Sequence, residues 1–159
     1  MSDLSSLNPY ADHLASLFKF ATDVLPSLDL NESYQGNLNS GPVINLDAYG
    51  DSDQLPPGNL IGISNYTMDV DDHLVVVTVM FAVITQGDLN NTRLDKATGI
   101  LLNSLLPTKK IPVVRETNGE EIGTMTVGKE VRVLPMSGDQ NRNFKMIAVT
   151  LHSTATLNL

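Results

Sequence analysis

The feature that most constrains this chain is one continuous apolar stretch, Leu74–Thr85, with the sequence LVVVTVMFAVIT. A membrane-spanning helix needs about 20 consecutive apolar residues, and this stretch is much shorter. Its valines and threonines are β-branched and favour a pleated strand over a helix. A strand with one face in water alternates apolar and polar residues, whereas this one is apolar on both faces. The stretch therefore predicts a central strand that is covered on both faces.

Helices are expected to cover one face of this strand, and two arrangements are possible for the other. A neighbouring subunit covers the second face if the protein is an oligomer. Further segments of the same chain cover it if the core is private to one subunit. The sequence leaves both arrangements open.

Length and composition predict one β-rich domain without covalent cross-links. The chain has 159 residues, which fits a single domain with a sizeable core. Only 18% of the residues are charged, and many are Asn, Ser, Thr, Asp and Gly, which favour turns and polar strand faces. No cysteine is present, so disulfides and thiolate chemistry are excluded. Packing or assembly must therefore hold the fold together.

The hydrophobic pattern near the N-terminus predicts a first helix. Asn8 followed by Pro9 is typical of a helix start, and Pro26 ends the pattern. Apolar residues recur at helical spacing on one face, namely Leu14, Leu17, Phe18, Ala21, Val24 and Leu25. The charged residues Asp12, Lys19 and Asp23 are expected on the other faces.

A second helix is predicted in the segment GDLNNTRLDKATGILLNSLLP. Asp88 or Asn91 can cap its N-terminus, and Pro107 ends it. Its apolar stripe consists of Leu94, Ala97, Leu101 and Leu105, widened by Thr98 and Leu102. Gly99 inside a helix costs about 1 kcal/mol relative to alanine, so we expect another backbone to approach closely there.

The remaining segments predict antiparallel strands. LIGISNYTM, the acidic turn DVDD and the apolar stretch form one hairpin. Asn118-Gly119 is the strongest short signal for a tight hairpin turn, and KEVRVLPM and NFKMIAVTLHSTATL alternate around SGDQNR to form another. The expected fold is a single α+β domain over residues 1–159, with an antiparallel sheet and two helices packed on one of its faces.

Residues 27–59 form a long polar segment in which only PVINLDAY is suited to a short strand. Segments of this length without secondary structure are uncommon in compact domains and are typical of binding arms, lids or disordered segments. We expect either an arm that orders against a neighbouring subunit or a flexible loop. An arm of this kind is protease-sensitive in the isolated subunit and protected after assembly.

Residues with catalytic or metal-binding chemistry are few and scattered. His13, His73 and His152 have no metal-ligand spacing, and no HExxH, GxSxG or phosphate-loop pattern is present. The best metal candidate is the acidic turn, with Asp69, Asp71, Asp72 and His73. It lacks the turn glycine and the additional oxygen ligands of a hard-cation site, so we interpret it as a solvated turn. We expect no catalytic residue, no cofactor site, no metal site and no enzymatic activity.

The charge balance argues against tight nucleic-acid binding. The chain has 18 acidic and 10 basic residues, and phosphate affinity depends on Lys and Arg. An acidic surface still allows DNA to pass nearby without being held. Lys109 and Lys110 form the one basic cluster and most simply complement a helix dipole, whereas a phosphate site with Arg115 and Arg132 is the alternative.

The order of elements consists of a helix ended by proline, a loop, a long apolar hairpin, a second helix and a β-rich end. This order resembles the tail terminator and neck (head–tail joining) proteins of long-tailed bacteriophages. The matching segments are 11–25 and 89–106 as helices, 74–85 as the long strand and 111–157 as the remaining sheet. In that family, six α+β subunits form a ring that caps the tail tube and docks to the head connector.

The resemblance implies a structural virion protein that forms a homo-oligomeric, hexameric ring at the neck or tail end. Its implied partners are copies of itself, tail tube or sheath proteins and the head connector, with genome DNA passing nearby and no membrane contact. Its place is the virion, assembled in the host cytoplasm, since MSDLSSLNPY lacks the pattern of a secretory signal. A small dimeric ligand-binding or enzymatic domain, with its ligand under the 27–59 segment, is the main alternative. A head-completion or baseplate component is the other.

Overall fold

A computed structural model describes the chain at residues 8–28, 43–49, 55–56, 58–72, 74–88, 90–139 and 142–155. Within these ranges the chain forms two α-helices and six β-strands. They are α1 Pro9–Val24, β1 Val43–Asn45, β2 Leu60–Asp71, β3 Leu74–Gln86, α2 Thr92–Ser104, β4 Lys110–Val114, β5 Glu121–Asp139 and β6 Arg142–Ser153. The strands form one sheet in the order β1-β2-β3-β6-β5-β4. The fold class is therefore α+β, as the sequence predicts.

The sheet is mixed, which corrects the expectation of an antiparallel sheet. The neighbouring pairs β2–β3, β3–β6, β6–β5 and β5–β4 are all antiparallel. At the edge, however, β1 runs parallel to β2, with Val43 opposite Ile61 and Asn45 opposite Ile63. Two parallel strands cannot be joined by a tight turn, because the chain must return to the starting end before the second strand begins. This return accounts for the length of the segment between β1 and β2.

The apolar stretch forms β3, which lies in the middle of the sheet between β2 and β6. It pairs with β6 without a register shift, from Val75 opposite Ser153 to Gln86 opposite Arg142. The side chains at its odd-numbered positions point into the main core and are buried. Both helices contribute to the same core, through Leu17, Ala21, Leu94, Ala97, Leu101 and Leu105. One face of the sheet is thus covered by α1 and α2 together.

Among the described residues, the second face of the sheet is covered at one end. A smaller apolar cluster forms around the end of β3, with Ala82, Ile84, Leu60, Met146, Ile44 and Leu55. Leu46 and Tyr49 pack against this cluster, and Arg142 donates a hydrogen bond of 2.7 Å to the carbonyl oxygen of Pro56. The described part of the predicted arm or loop therefore packs on the chain's own sheet. Residues 29–42, 50–54 and 57 of that arm lie outside the described residues.

The first helix begins as predicted. The side-chain oxygen of Asn8 accepts a hydrogen bond of 3.0 Å from the amide of Ala11, and Pro9 is the first helical residue. The α-helix ends at Val24, and a 3-10 turn over Leu25–Leu28 continues from it through the proline. No helix among the described residues is long and apolar enough to cross a membrane.

The second helix is shorter than predicted and is capped by Asp88. The Asp88 carboxylate accepts hydrogen bonds from the amides of Leu94 at 2.9 Å and Arg93 at 3.3 Å. Asn91 occupies the N-cap position with a φ of 56° and makes no side-chain cap bond. The helix ends at Ser104, before Pro107, and residue 89 of the predicted helix lies outside the described residues. Of the two candidate caps, Asp88 is the one that binds the helix amides.

The prediction for Gly99 is wrong for the described residues, since none of them brings another backbone close to it. A Cβ added at Gly99 would meet no described heavy atom within 4 Å. Close approach occurs instead at Gly123 on β5, where an added Cβ would lie 2.6 Å from the Cα of Ala155. The segment after β6 therefore packs directly on the backbone of β5.

Two irregularities shape the strands next to the open part of the sheet. In β2 the register shifts between Ser64 and Thr67, and Asn65 has a φ of 52°, a conformation that Asn tolerates better than most residues. In β5 the register shifts between Val127 and Val131. The predicted Asn118-Gly119 turn joins β4 to β5, with Gly119 at a φ of 73°.

Candidate functional site

The acidic turn between β2 and β3 does not form a metal site in the described structure. Asp69 and Asp71 lie at the exposed end of β2, Asp72 follows in the turn, and His73 lies outside the described residues. The described parts of the chain hold no group of three or more His, Asp or Glu residues that could bind a metal ion. The described turn residues are exposed, as in a solvated hairpin end.

A buried polar network joins α1 to two strands. His13 is fully buried, and its Nε2 lies 2.7 Å from the Oγ of Ser153 on β6, while its Nδ1 lies 2.7 Å from the carbonyl oxygen of Pro9. Because a carbonyl oxygen can only accept, Nδ1 carries the proton and Nε2 accepts from the serine hydroxyl. Burial lowers the pKa of His13 and outweighs the opposing effects of the Pro9 carbonyl and of the Asp12 charge.

Asp12 and Ser16 extend this network to β4. The carboxylate of Asp12 accepts a hydrogen bond of 2.9 Å from the amide of Glu116, and Asp12 is only 5% exposed. The Oγ of Ser16 accepts a hydrogen bond of 2.8 Å from the amide of Val114. The sequence-based placement of Asp12 on a solvent-facing side of the helix is therefore wrong. Asp12 and Ser16 thus form a buried polar stripe on α1, which accepts hydrogen bonds from the backbone amides of Val114 at the end of β4 and of Glu116 just after it.

The Ser153–His13 pair has the donor–acceptor geometry of a nucleophile and its base, but its atoms are already occupied. The Oγ of Ser153 also accepts from the amide of Ala155 at 3.1 Å, and both His13 nitrogens are bound within the chain. The neighbouring carboxylate of Asp12 binds an amide instead of the imidazole. The arrangement fastens α1 to the sheet by hydrogen bonds that burial makes expensive to break.

The basic residues considered for phosphate binding lie on different elements. Lys109 precedes β4, Lys110 begins it, and Arg115 follows it and lies 3.6 Å from the carboxylate of Glu120. Arg132 lies on β5. His152 is exposed on β6, where its ring lies beside Gly128. The structure therefore spreads these side chains over several elements.

The open end of the second sheet face carries a shallow groove of about 390 Å³. Its lining includes Thr67, Thr78, Met80, Glu130, Arg132 and Thr150. The hydroxyls of Thr67 and Thr78 bind each other across β2 and β3. Along this part of β3, the side chains of Val76, Thr78 and Met80 remain partly exposed, whereas those facing the helices are buried. The groove is the part of this sheet face that the described segments leave uncovered.

The strands that flank this groove have unpaired outer edges among the described residues. β1 pairs with residues 61–63 of β2, and the Asp47 carboxylate accepts a hydrogen bond of 2.8 Å from the amide of Asn65, so the outer edge without a described strand or cap beside it is residues 66–71. β4 pairs with residues 121–126 of β5, and two backbone bonds at Val127 complete that contact. The outer edge of β5 beyond Val127 has no described strand beside it.

Sequence reasoning missed the polar network but contained a signal for the free edges. Asp12 and Ser16 are one helical turn apart, yet nothing in the sequence links them to Ser153, which lies 140 positions from His13. The free edges, by contrast, carry the alternating patterns YTMDVD and KEVRVL, which are typical of strands with one apolar and one charged face. Comparison of the chain with known protein families and with curated protein sequences gives no match.

Proposed function

We propose that this chain is a structural virion protein that forms a homo-oligomeric ring, with six copies expected, at the neck or tail end of a long-tailed bacteriophage. The ring terminates the tail tube and joins it to the head. The observation that carries the proposal is the half-covered central strand. β3 is covered by helices on one face, but on the other face the described residues cover only the end around Ala82 and Ile84.

The exposed apolar side chains support an assembling subunit. Val70 is 53% exposed and Leu74 is 66% exposed at the β2–β3 turn, and Val133 is 40% exposed on β5. All three belong to the strands that border the uncovered part of the sheet. Exposed apolar groups beside an uncovered sheet face are typical of surfaces that are buried on association.

The buried polar network favours a structural role for the groups that look most like a catalytic pair. The hydrogen bonds of His13 and Ser153 are used to hold α1 on the sheet. The net charge of −8 supports a ring through which DNA passes, because few phosphate contacts are available to hold the duplex.

Native mass spectrometry and negative-stain electron microscopy of the purified full chain test the proposal over a range of concentrations. The expected result is a closed ring, or a monomer that becomes a ring when tail tube protein is added. A tight dimer carrying a small molecule, or a chain that stays monomeric with tube protein present, contradicts the proposal.

A further inference from the structure

The two free strand edges are oriented so that they can pair with each other in neighbouring copies. β2, β3, β6 and β5 are adjacent in the sheet, and each runs antiparallel to the next. Three successive reversals leave β2 and β5 pointing in opposite directions. When two copies stand side by side in the same orientation, β5 of one is therefore antiparallel to β2 of the other, as hydrogen bonding between antiparallel strands requires.

The helix-facing sides of both edges are apolar. In β2, Val70 lies opposite Val75 and Met68 opposite Val77, and both strand partners belong to the core under the helices. In β5, Val131 and Val133 lie opposite Val149 and Ile147, which belong to the same core. Joining the edges would bring the exposed side chains of Val70 and Val133 to one face of a continuous sheet.

The groove sides of the two edges differ in charge. Asp69 and Asp71 alternate with the apolar residues of β2 and therefore point to the groove side. On β5, Glu130 and Arg132 line the groove together, and the exposed Lys129 lies in the irregularity that precedes them. The joined sheet would place the aspartates of one copy on the same face as Arg132 of the next.

These charges also select which edges meet. Charged residues on an edge strand commonly prevent pairing with other chains. Here, two β2 edges would repel each other through their aspartates, so the β2 edge requires an unlike partner. The β5 edge offers Arg132 on the charged side and Val133 on the apolar side. A β2-to-β5 contact is heterologous, so its repetition gives a closed ring or an open filament instead of stopping at a dimer, and the proposed function requires the ring.

We infer that neighbouring copies of this chain join by antiparallel pairing of the β2 edge, residues 66–71, with the β5 edge beyond Val127 of the next copy. This inference rests on the proposed ring. The two free edges lie towards opposite ends of the strands, because β1 covers β2 far from the β2–β3 turn whereas β4 covers β5 near it. The strands must therefore tilt relative to the ring axis, as they do in closed barrels.

Disulfide trapping tests the contact cleanly, because the natural chain has no cysteine. Val70→Cys and Val133→Cys are prepared separately in the full chain and oxidised alone and as a mixture. The expected result is a covalent dimer from the mixture and none from either variant alone. The double variant should give a ladder that ends at the number of copies in the ring. Lys19→Cys, at an exposed position on α1, mixed with Val133→Cys measures cross-linking by random collision.

Charge reversal tests the same contact without cysteines. Asp69→Lys and Arg132→Asp should each raise the concentration needed for half-assembly about tenfold, because attraction becomes repulsion. The two reversals combined in one chain should restore assembly. Glu116→Lys, the same change of charge on the β4–β5 turn, is the matched control and should leave assembly unchanged.

The outcomes separate this inference from the proposed function. If rings form but the mixture does not cross-link, or if either single-cysteine variant cross-links to itself, the edge pairing is refuted and the ring remains. Normal assembly of both single charge variants refutes the edge pairing as well. If no ring forms under any condition, the proposed function and the edge pairing fail together.

Discussion

Replacing Gly99 by alanine should stabilise the isolated subunit. Gly99 lies in the interior of α2, where alanine is favoured by about 1 kcal/mol because it restricts the unfolded chain more and suits the helix. The added Cβ meets no described heavy atom within 4 Å, so no steric cost opposes this gain. For a chain of this size, about 1 kcal/mol corresponds to a rise in melting temperature of roughly 2–4 °C.

The measurement is urea unfolding followed by circular dichroism, together with calorimetry, at concentrations where the subunit is monomeric. Gly123→Ala is the matched control, since its added Cβ would lie 2.6 Å from the Cα and 2.7 Å from the amide nitrogen of Ala155. Backbone atoms cannot move aside cheaply, so this variant should lose about 1–3 kcal/mol. A neutral or destabilising Gly99→Ala would show that the helix surface at this position is not open. A stabilised subunit that no longer assembles would place α2 in an interface.

Three further predictions concern acid stability, helix capping and DNA. Burial lowers the pKa of His13 in the folded chain. As the pH falls below about 6.5, the unfolded chain therefore takes up a proton at residue 13 before the folded chain does, and the free energy of unfolding should decrease. Urea midpoints at pH 7.5 and 5.5 should differ less in His13→Gln than in the native chain, whereas His152→Gln should retain the native difference. Asp88→Ala should lower the free energy of unfolding by about 1–2 kcal/mol through loss of the amide bonds at Arg93 and Leu94, and Asn91→Gly should have little effect. The purified protein should bind no duplex DNA at physiological salt. Submicromolar, salt-sensitive binding in an anisotropy assay would refute the idea that DNA passes through the ring without being held, and would point to Lys109 and Lys110 as a phosphate site.

Asp88 is a second group that should make the folded protein less stable in acid. Burial alone would raise the pKa of this carboxyl, but hydrogen bonds from Leu94, Arg93 and Thr85, with the charge of Arg93, together lower it. A carboxyl with a lowered pKa stabilises the fold above its unfolded pKa, near 4, and that stability is lost as the pH falls further. The loss due to His13 should therefore begin at a higher pH than the loss due to Asp88.

The features that sequence predicted well are those decided by neighbouring residues. Asn8 and Pro9 define a helix start by themselves, and Asn118-Gly119 defines its turn by itself. The missed features depend on residues far apart in the chain. β1 pairs in parallel with β2, whose paired residues lie 18 positions further along the chain, and the close contact at Gly123 is made by Ala155.

The sequence does not predict the buried polar residues of the core, for a different physical reason. Helical periodicity assigns the buried face from apolar side chains, so it predicts Asp12 outside that face and gives no signal that His13 and Ser16 are buried. They are buried because β4 and β6 supply donors and acceptors that balance the loss of water. Alternating patterns in the sequence indicate the free edges, but the direction in which these edges can pair follows only from the order of the strands in the sheet.

The position of β3 beside β6 has a consequence for synthesis on the ribosome. β3 and β6 are neighbours in the sheet, yet β6 is the last described strand and is translated well after β3. At usual rates of translation, the most apolar strand of the protein waits several seconds for its partner. During that interval β2 is its one available sheet neighbour, and a two-stranded hairpin is marginally stable in water. The nascent chain should therefore be most prone to aggregation, and most dependent on chaperones, after β3 has emerged and before β6 follows.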